Sequence, residues 1–182
     1  MAEMHGAIEA PAAWVQRWAA LVPERGRVLD VACGHGRHAR FFAARGHAVD
    51  AVDRNAAALE GIANLANLAN IRPLCADIEA GAWPYRPHTY SCVVVTNYLH
   101  RPLFPALLDA LAPGGVLIYE TFALGNERFG RPSNPDFLLK PGELLEIVRG
   151  RLRVVAYEDL MVETPRAACV QRIVAVYATN AE

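Results

Sequence analysis

Lysine is almost absent from the sequence, in which Lys140 is the only one and arginine supplies the other cations. The net charge is −1 at pH 7, from 18 basic and 19 acidic residues. This balance lacks the positive field that bulk binding to nucleic acid requires. Charged residues make up 20% of the chain and hydrophobic residues 53%, which excludes a disordered protein. We expect one compact α/β domain over residues 1–182, without a nucleic-acid partner.

Signals for metal binding, secretion and membrane insertion are also missing. The four cysteines form neither a C-x-x-C pair nor a short zinc spacing, and the histidines are too scattered for a metal site. No run of about 18 apolar residues exists, which predicts no membrane span. The first residues include Glu3 and Glu9 and no basic start, so we expect no signal peptide. These absences together predict a cytoplasmic protein with reduced cysteines, no metal and no membrane contact.

The most informative stretch is VLDVACGHGRHA at residues 28–39. Residues 28–32 form an apolar run around one carboxylate, Asp30, which is typical of a parallel strand covered on both faces. Gly34 and Gly36 lack a Cβ, so they can take positive φ and let a ligand approach the backbone closely. The helix that follows directs its unpaired N–H groups at the same place, which favours an anionic group there. The pattern predicts a binding site for a nucleoside cofactor.

The rest of the chain alternates predicted strands with predicted helices, which indicates a doubly wound, mostly parallel sheet of seven strands. The last two strands are joined by a link too short for a helical crossover, so they predict a C-terminal antiparallel hairpin. Pro73 predicts that the third strand lies near an edge of the sheet or that the proline stands near the start of the strand. Residues 112–115 predict a turn. The predicted strands cover residues 28–32, 47–52, 71–76, 90–96, 116–122, 152–160 and 170–179. The predicted helices cover residues 7–22, 37–45, 56–70, 103–111 and 141–150.

Two further segments are candidates for substrate binding. Within the N-terminal segment 1–22, Trp14 either packs in the core at the edge of the domain or belongs to a lid over the cofactor. The long polar loop 123–140 is of a kind that is usually functional in compact domains. Arg131 in that loop is a candidate for binding an anionic substrate.

A seven-stranded sheet with a reversed last strand resembles the S-adenosylmethionine-dependent methyltransferases of the Rossmann-like class. The motifs over residues 28–122 are similar to that family in order and spacing. The residues YETF at 119–122, followed by GNE at 125–127 and GRP at 130–132, resemble the subgroup related to tellurite-resistance methyltransferases. The resemblance implies S-adenosyl-L-methionine as cofactor. It also implies methyl transfer to a small molecule or a metalloid by in-line displacement.

The glycine turn leaves two other functions open. Its G-x-G-x-x-A pattern, with Asp53 downstream, also satisfies the fingerprint of NAD-dependent oxidoreductases. Three features favour the methyltransferase: Asp30 inside the first strand, the pair Asp77 and Ile78 after the third strand, and the C-terminal hairpin. A module that binds an adenosyl cofactor without turnover is the third possibility.

The resemblance implies a role for each residue of the turn. Ala32, Cys33, Gly34 and Gly36 would hold the methionine part of the cofactor with their backbone carbonyl and N–H groups. Asp30 would assist through the ammonium by way of a water, or bond the N–H groups of the turn, and the two roles are compatible.

The ends of the next strands would bind the nucleoside part. Asp53 would accept both ribose hydroxyls in a charge-assisted contact, or cap the next helix. Asp77 would accept the adenine amino group, Ile78 would face the adenine ring, and Arg54 would stack on it or face solvent. Asn97 would lie beside the methionine chain.

Tyr98 and His100, just after the fourth strand, are the candidates to face the methyl group, and Tyr98 is also a candidate substrate contact. His100 would act as a base only if the acceptor arrives protonated, and its alternative is a cap or surface role. This region lacks the N-P-P-Y type of motif that accompanies amino-group methylation of bases. The sequence therefore favours a small-molecule acceptor over DNA or RNA.

Overall fold

The computed structural model describes residues 10–63, with Ala63 by its backbone alone, and residues 70–178. Seven strands form one sheet in the order β3-β2-β1-β4-β5-β7-β6, and β7 runs against the others. The predicted doubly wound fold with a C-terminal antiparallel hairpin is confirmed. The strands are β1 (Val28–Val31), β2 (Val49–Asp53), β3 (Ile71–Cys75), β4 (Tyr90–Thr96), β5 (Leu111–Phe122), β6 (Arg153–Val162) and β7 (Ala168–Val176). The helices are α1 (Ala13–Trp18), α2 (Arg37–Ala44), α3 (Ala56–Ala63), α4 (Phe104–Ala110) and α5 (Glu143–Val148).

The sheet is covered on both faces because successive side chains of a strand point to opposite sides. Leu29 of β1 and its partner Val93 of β4 belong to the apolar layer that includes α4 and α5. Val28 and its partner Cys92 belong to the opposite layer, which includes α1, α2 and α3. This two-sided burial explains why β1 and β4 are nearly continuous apolar runs in the sequence.

Several helices are shorter than the sequence predicted. The helix predicted for residues 7–22 is α-helical only from Ala13 to Trp18, because Pro11 disfavours helical geometry in the residue before it. Residues 1–9 lie outside the described part of the chain. The helix predicted for residues 141–150 shrinks to α5, since Gly142 and Gly150 take positive φ at its two ends. The predicted end of the second helix, residues 64–70, falls largely outside the described residues.

The predicted turn at residues 112–115 is wrong, because these residues lie inside β5. Leu111 pairs with Tyr90 of β4, but the next paired residue, Val116, faces Cys92. The extra residues of β5 form a bulge, in which Gly114 has a φ of 78°. The proline and glycines at residues 113–115 predict a break in the strand. In the structure β5 stays continuous, because it pairs with β4 on both sides of the bulge. The predicted helix 103–111 therefore ends at Ala110.

The loop at residues 123–140 is fixed to the end of β5. Leu139 donates a backbone hydrogen bond to Phe122 and accepts one from Leu124. Two short 3-10 turns, Asn126–Arg128 and Pro135–Phe137, form the rest of its regular structure. This attachment places the loop beside the carboxyl ends of the parallel strands. Within the described ranges, no helix has the length and apolar character needed to cross a membrane.

Candidate active site

A cleft of about 360 Å³ lies at the carboxyl ends of the parallel strands. Ligands of open α/β sheets bind at this edge, where the strand order reverses between β1 and β4. The residues that follow β1, β2, β3 and β4 line the cleft, together with the end of β5 and the 123–140 loop. Seven residues singled out from the sequence line it: Ala32, Asp53, Arg54, Asp77, Ile78, Asn97 and Tyr98.

The glycine turn after β1 is built on positive φ angles. Ala32, Gly34 and Gly36 have φ of 52°, 53° and 71°. A Cβ on Gly34 would meet nothing within 4 Å, so this part of the turn is open to a ligand. A Cβ on Gly36 would lie 2.4 Å from Cδ1 of Ile62. The missing Cβ of Gly36 therefore makes room for a side chain of α3, and a contact between its backbone and a ligand stays a prediction.

Asp53 ends β2 and faces the cleft, where it binds two backbone N–H groups. One carboxylate oxygen accepts from Gly34 at 2.8 Å and the other from Asn55 at 2.8 Å. The helix-cap alternative for Asp53 is wrong, because Asn55 caps α3 by accepting from the N–H of Ala58. Since each carboxylate oxygen has more than one acceptor site, Asp53 keeps capacity for two hydroxyl donors.

Asp77 and Ile78 lie together at the cleft after β3. One carboxylate oxygen of Asp77 accepts from the backbone N–H of Glu79 and of Ala80, at 3.0 and 3.2 Å. These hydrogen bonds lower the pKa of Asp77, so it is ionised near neutral pH. Ile78 is buried and presents an apolar surface to the cleft, and Arg54 lines the same region.

Tyr98 has an unusual hydroxyl. The oxygen is shielded from solvent and has no hydrogen-bond partner among the described residues. Burial raises the pKa of Tyr98, and the nearby carboxylate of Glu79 adds to the effect, so the phenol stays protonated. Glu79 lines the cleft as well and was missed from the sequence, where nothing distinguishes it from a surface acid. Asn97 lies before Tyr98 with a φ of 55° and turns the chain at the end of β4.

The structure does not place His100 or Arg131 on the wall of the cleft. His100 is partly buried, and its Nδ1 lies 3.7 Å from a carboxylate oxygen of Glu79. Arg131 is exposed, and its neighbour Pro132 reaches the cleft instead. The predictions of a base at His100 and a substrate contact at Arg131 therefore lack the geometry that they need.

Trp14, Asp30 and Cys33 are buried and support the cleft from the core. The indole N–H of Trp14 donates to the carbonyl of Ile173 at 3.3 Å, and α1 contributes no residue to the cleft. The prediction of a substrate contact at Trp14 is wrong, and its alternative, core packing, is what the structure shows. Cys33 is likewise a packed residue, and burial raises its pKa.

Asp30 is 1% exposed and does not line the cleft. Its carboxylate accepts from the backbone N–H of Ala39 in the first turn of α2, at 2.9 Å. Burial raises the pKa of Asp30 to about 7. The residue holds α2 against β1, and its water-mediated contact with an ammonium group stays a prediction.

The sheet order and the glycine turn define a Rossmann-like fold, with a cleft at its carboxyl edge that carries one carboxylate at the end of β2 and one after β3. Residues 28–115 match the methyltransferase domain family. This part of the chain, just under half of its length, therefore carries the methyltransferase domain that the sequence predicted, and the match does not support the oxidoreductase alternative. No group of three or more potential metal ligands occurs among residues 10–63 and 70–178.

Solved structures of low sequence identity share this fold. TehB from Haemophilus influenzae has a TM-score of 0.73 and 19% identity, over 90% of this chain and 61% of the TehB chain. An S-adenosylmethionine dependent methyltransferase from Mesorhizobium loti has a TM-score of 0.72 and 16% identity, over 91% and 98%. A TehB-like SAM-dependent methyltransferase from Corynebacterium glutamicum has a TM-score of 0.65 and 16% identity, over 90% and 86%. At these identities the likeness establishes the fold. Among curated proteins, no sequence matches the chain significantly.

Proposed function

We propose that this protein transfers a methyl group from S-adenosyl-L-methionine to a small-molecule acceptor by in-line displacement. The donor is S-adenosyl-L-methionine, the cofactor after which the structural neighbours from Mesorhizobium loti and Corynebacterium glutamicum are named. The observation that carries the proposal is Asp53, which faces the cleft and at the same time binds the N–H of the open Gly34.

The described side chains fit the parts of this cofactor. The open space at Gly34 accommodates the methionine portion, and Asn97 lies beside it. Asp53 accepts from the ribose hydroxyls through its remaining acceptor sites. Asp77 and Ile78 offer a carboxylate and an apolar surface side by side, which matches the amino group and the ring of adenine. The bound cofactor supplies a methyl group that its sulfonium charge already activates.

The residues of the cleft favour an acceptor that arrives without a proton on its reacting atom. The titratable side chains that line the cleft are Asp53, Arg54, Asp77, Glu79 and Tyr98. None is a histidine or a cysteine, the pKa of Asp77 is lowered, and that of Tyr98 is raised. Neither Asp77 nor Tyr98 therefore suits a general base near neutral pH. The protein contributes alignment and exclusion of water, which can lower a barrier by on the order of 7–11 kcal/mol.

The acceptor is a small molecule in this proposal, and a metalloid is the alternative. The apolar residues Leu99 and Phe137 of the cleft support an organic acceptor. The metalloid alternative comes from the sequence resemblance to the tellurite-resistance subgroup. The cytoplasmic location and the absence of a nucleic-acid partner stay predictions from the sequence.

A thermal-shift measurement followed by a transfer assay tests the proposal. S-adenosylmethionine and S-adenosylhomocysteine should each raise the melting temperature, since a ligand at 100 times its Kd adds about 2.7 kcal/mol of stability. NAD at the same concentration should leave it unchanged. Release of S-adenosylhomocysteine with an acceptor panel would then establish turnover. Stabilisation by NAD alone would contradict the proposal, and cofactor binding without turnover over a broad panel would favour a binding module.

A further inference from the structure

A second groove, of about 530 Å³, lies next to the cleft. It runs between the N-terminal residues 10–16, the ends of β4 and β5, and the tip of the β6–β7 hairpin. Asn97 and Phe122 line both the groove and the cleft. The groove and the cleft are therefore neighbours that share part of their walls.

The groove combines an apolar surface with arginine. Phe122, Val162, Pro165 and Val170 supply the apolar part. Three arginines line the groove against a single acid, Glu120. The groove thus differs from the cleft, whose lining contains Asp53, Asp77 and Glu79 against one arginine.

Two arginines of the groove have different surroundings. Arg172 is neutralised, because it donates to Glu120 at 3.0 Å and to Glu158 at 2.7 Å. Arg166 lies at the hairpin tip with its guanidinium carbon 5.6 Å from the centre of the Phe122 ring. It forms no ion pair within the described part of the chain. Arg166 is therefore a cation beside an apolar surface, and its charge is available to a ligand.

We propose that this groove binds the methyl acceptor and that the acceptor is a small organic carboxylate with an apolar body. The carboxylate binds the guanidinium of Arg166, which matches it with two parallel N–H donors. The apolar body packs on Phe122 and the hairpin residues, and the reacting atom reaches the cleft past Asn97. The inference rests on the proposed function and adds the chemical class of the acceptor.

The charges on the two sides support this orientation. A carboxylate placed in the cleft itself would meet Asp53, Asp77 and Glu79, and like charges repel at close range. The same carboxylate in the groove would be near Arg166, and Glu120, the acid that lines the groove, is already paired with Arg172. Binding in the groove therefore places the carboxylate of the acceptor beside a cation, and not among the acidic residues of the proposed cofactor site.

Calorimetric titration of matched acids and amides tests the inference. The probes are phenylacetate, 3-phenylpropionate and indole-3-acetate, each paired with its neutral amide, added to protein saturated with S-adenosylhomocysteine. We expect at least one acid to bind at least about tenfold more tightly than its amide, the lower range for a hydrogen bond to a charged group. Arg166→Gln should reduce this preference to within about twofold, and Arg166→Lys should retain part of it.

Arg153→Gln is the matched control, because Arg153 is an exposed arginine at the opposite end of the same hairpin. It should leave the preference unchanged. Equal affinity for acids and amides, no binding of any acid, or an undiminished preference in Arg166→Gln would overturn the inference. Failure of S-adenosylhomocysteine to bind the unaltered protein would instead contradict the proposed function. In that case the acids and amides are titrated into the protein without S-adenosylhomocysteine, and the inference is tested on its own.

Discussion

Asp53 accepts a hydrogen bond from the backbone N–H of Gly34 at 2.8 Å, so the end of β2 holds the turn that follows β1. The same carboxylate lines the cleft. One side chain therefore holds the glycine turn and, in the proposed function, provides the acceptors for a ribose. Replacing Asp53 should consequently affect both the turn and ligand binding.

Asp53→Ala should weaken binding of S-adenosylhomocysteine by about 1.5–3 kcal/mol, the range for hydrogen bonds to a charged group. Isothermal titration calorimetry measures this change. The control is Asp109→Asn, which alters an exposed acid of α4 paired with Arg151, outside the residues that line the cleft. An unchanged Kd in Asp53→Ala would remove the ribose assignment.

Gly36→Ala and Gly34→Ala should separate stability from ligand binding. Alanine at either position is forced to positive φ, which costs about 1–2 kcal/mol. Gly36→Ala should lower the free energy of unfolding by about 1–3 kcal/mol more than Gly34→Ala, because its Cβ would overlap Ile62. Adding Ile62→Ala to the Gly36→Ala variant should remove this overlap and recover part of the additional loss. Denaturant unfolding measures the difference between the two variants. Equal losses of stability would show that the contact with Ile62 is not the constraint at Gly36.

Trp14→Phe should lower the free energy of unfolding by about 1–3 kcal/mol, since it removes the hydrogen bond to Ile173 and part of a buried ring. Trp18→Phe should cost less, because the indole N–H of Trp18 is buried without a partner among the described residues. Neither change should alter the Kd for S-adenosylhomocysteine. A loss of S-adenosylhomocysteine binding in Trp14→Phe with unchanged stability would favour the alternative in which Trp14 belongs to a lid over the cofactor.

Asp30→Asn should change how stability depends on pH. The pKa of Asp30 is raised from 3.8 to about 7 in the folded protein, so the folded state binds its proton more tightly than the unfolded state. The resulting stabilisation is present below pH 3.8 and is lost as the pH rises to about 7. Asparagine does not titrate and still accepts from Ala39. The free energy of unfolding of Asp30→Asn, relative to that of the unaltered protein, should therefore rise by up to about 4 kcal/mol between pH 4 and pH 8.

Unfolding curves in urea at pH 5 and pH 8 measure this difference. Burial lowers the pKa of His38 to about 3, which gives a stabilisation that is present above pH 6.5 and lost as the pH falls. His38 is common to both proteins, so its contribution cancels when the two curves are compared. Parallel pH dependences in Asp30→Asn and the unaltered protein would show that Asp30 does not carry this shift.

Local patterns in the sequence predicted the site residues that stand at the ends of strands. Asp53, Asp77, Ile78 and Asn97 follow apolar runs, and parallel strands bring such positions to one edge of the sheet. Glu79 could not be found in this way, because its effect on the pKa of Tyr98 depends on a tertiary contact. The second groove was equally hidden, since it joins segments at residues 10–16 and 162–172 that are distant in the chain.

The sequence by itself determined the order of strands and helices, the reversed C-terminal hairpin and the cofactor turn, because these depend on hydrophobic period, glycine and short connections. Only the tertiary structure decided which side chains face the cleft and which are buried. Gly36 makes room for Ile62, Trp14 packs in the core, and Asp30 binds the start of α2. The physical reason is that a side chain is buried by elements that are far apart in the chain, so no local sequence pattern predicts which side chains are buried.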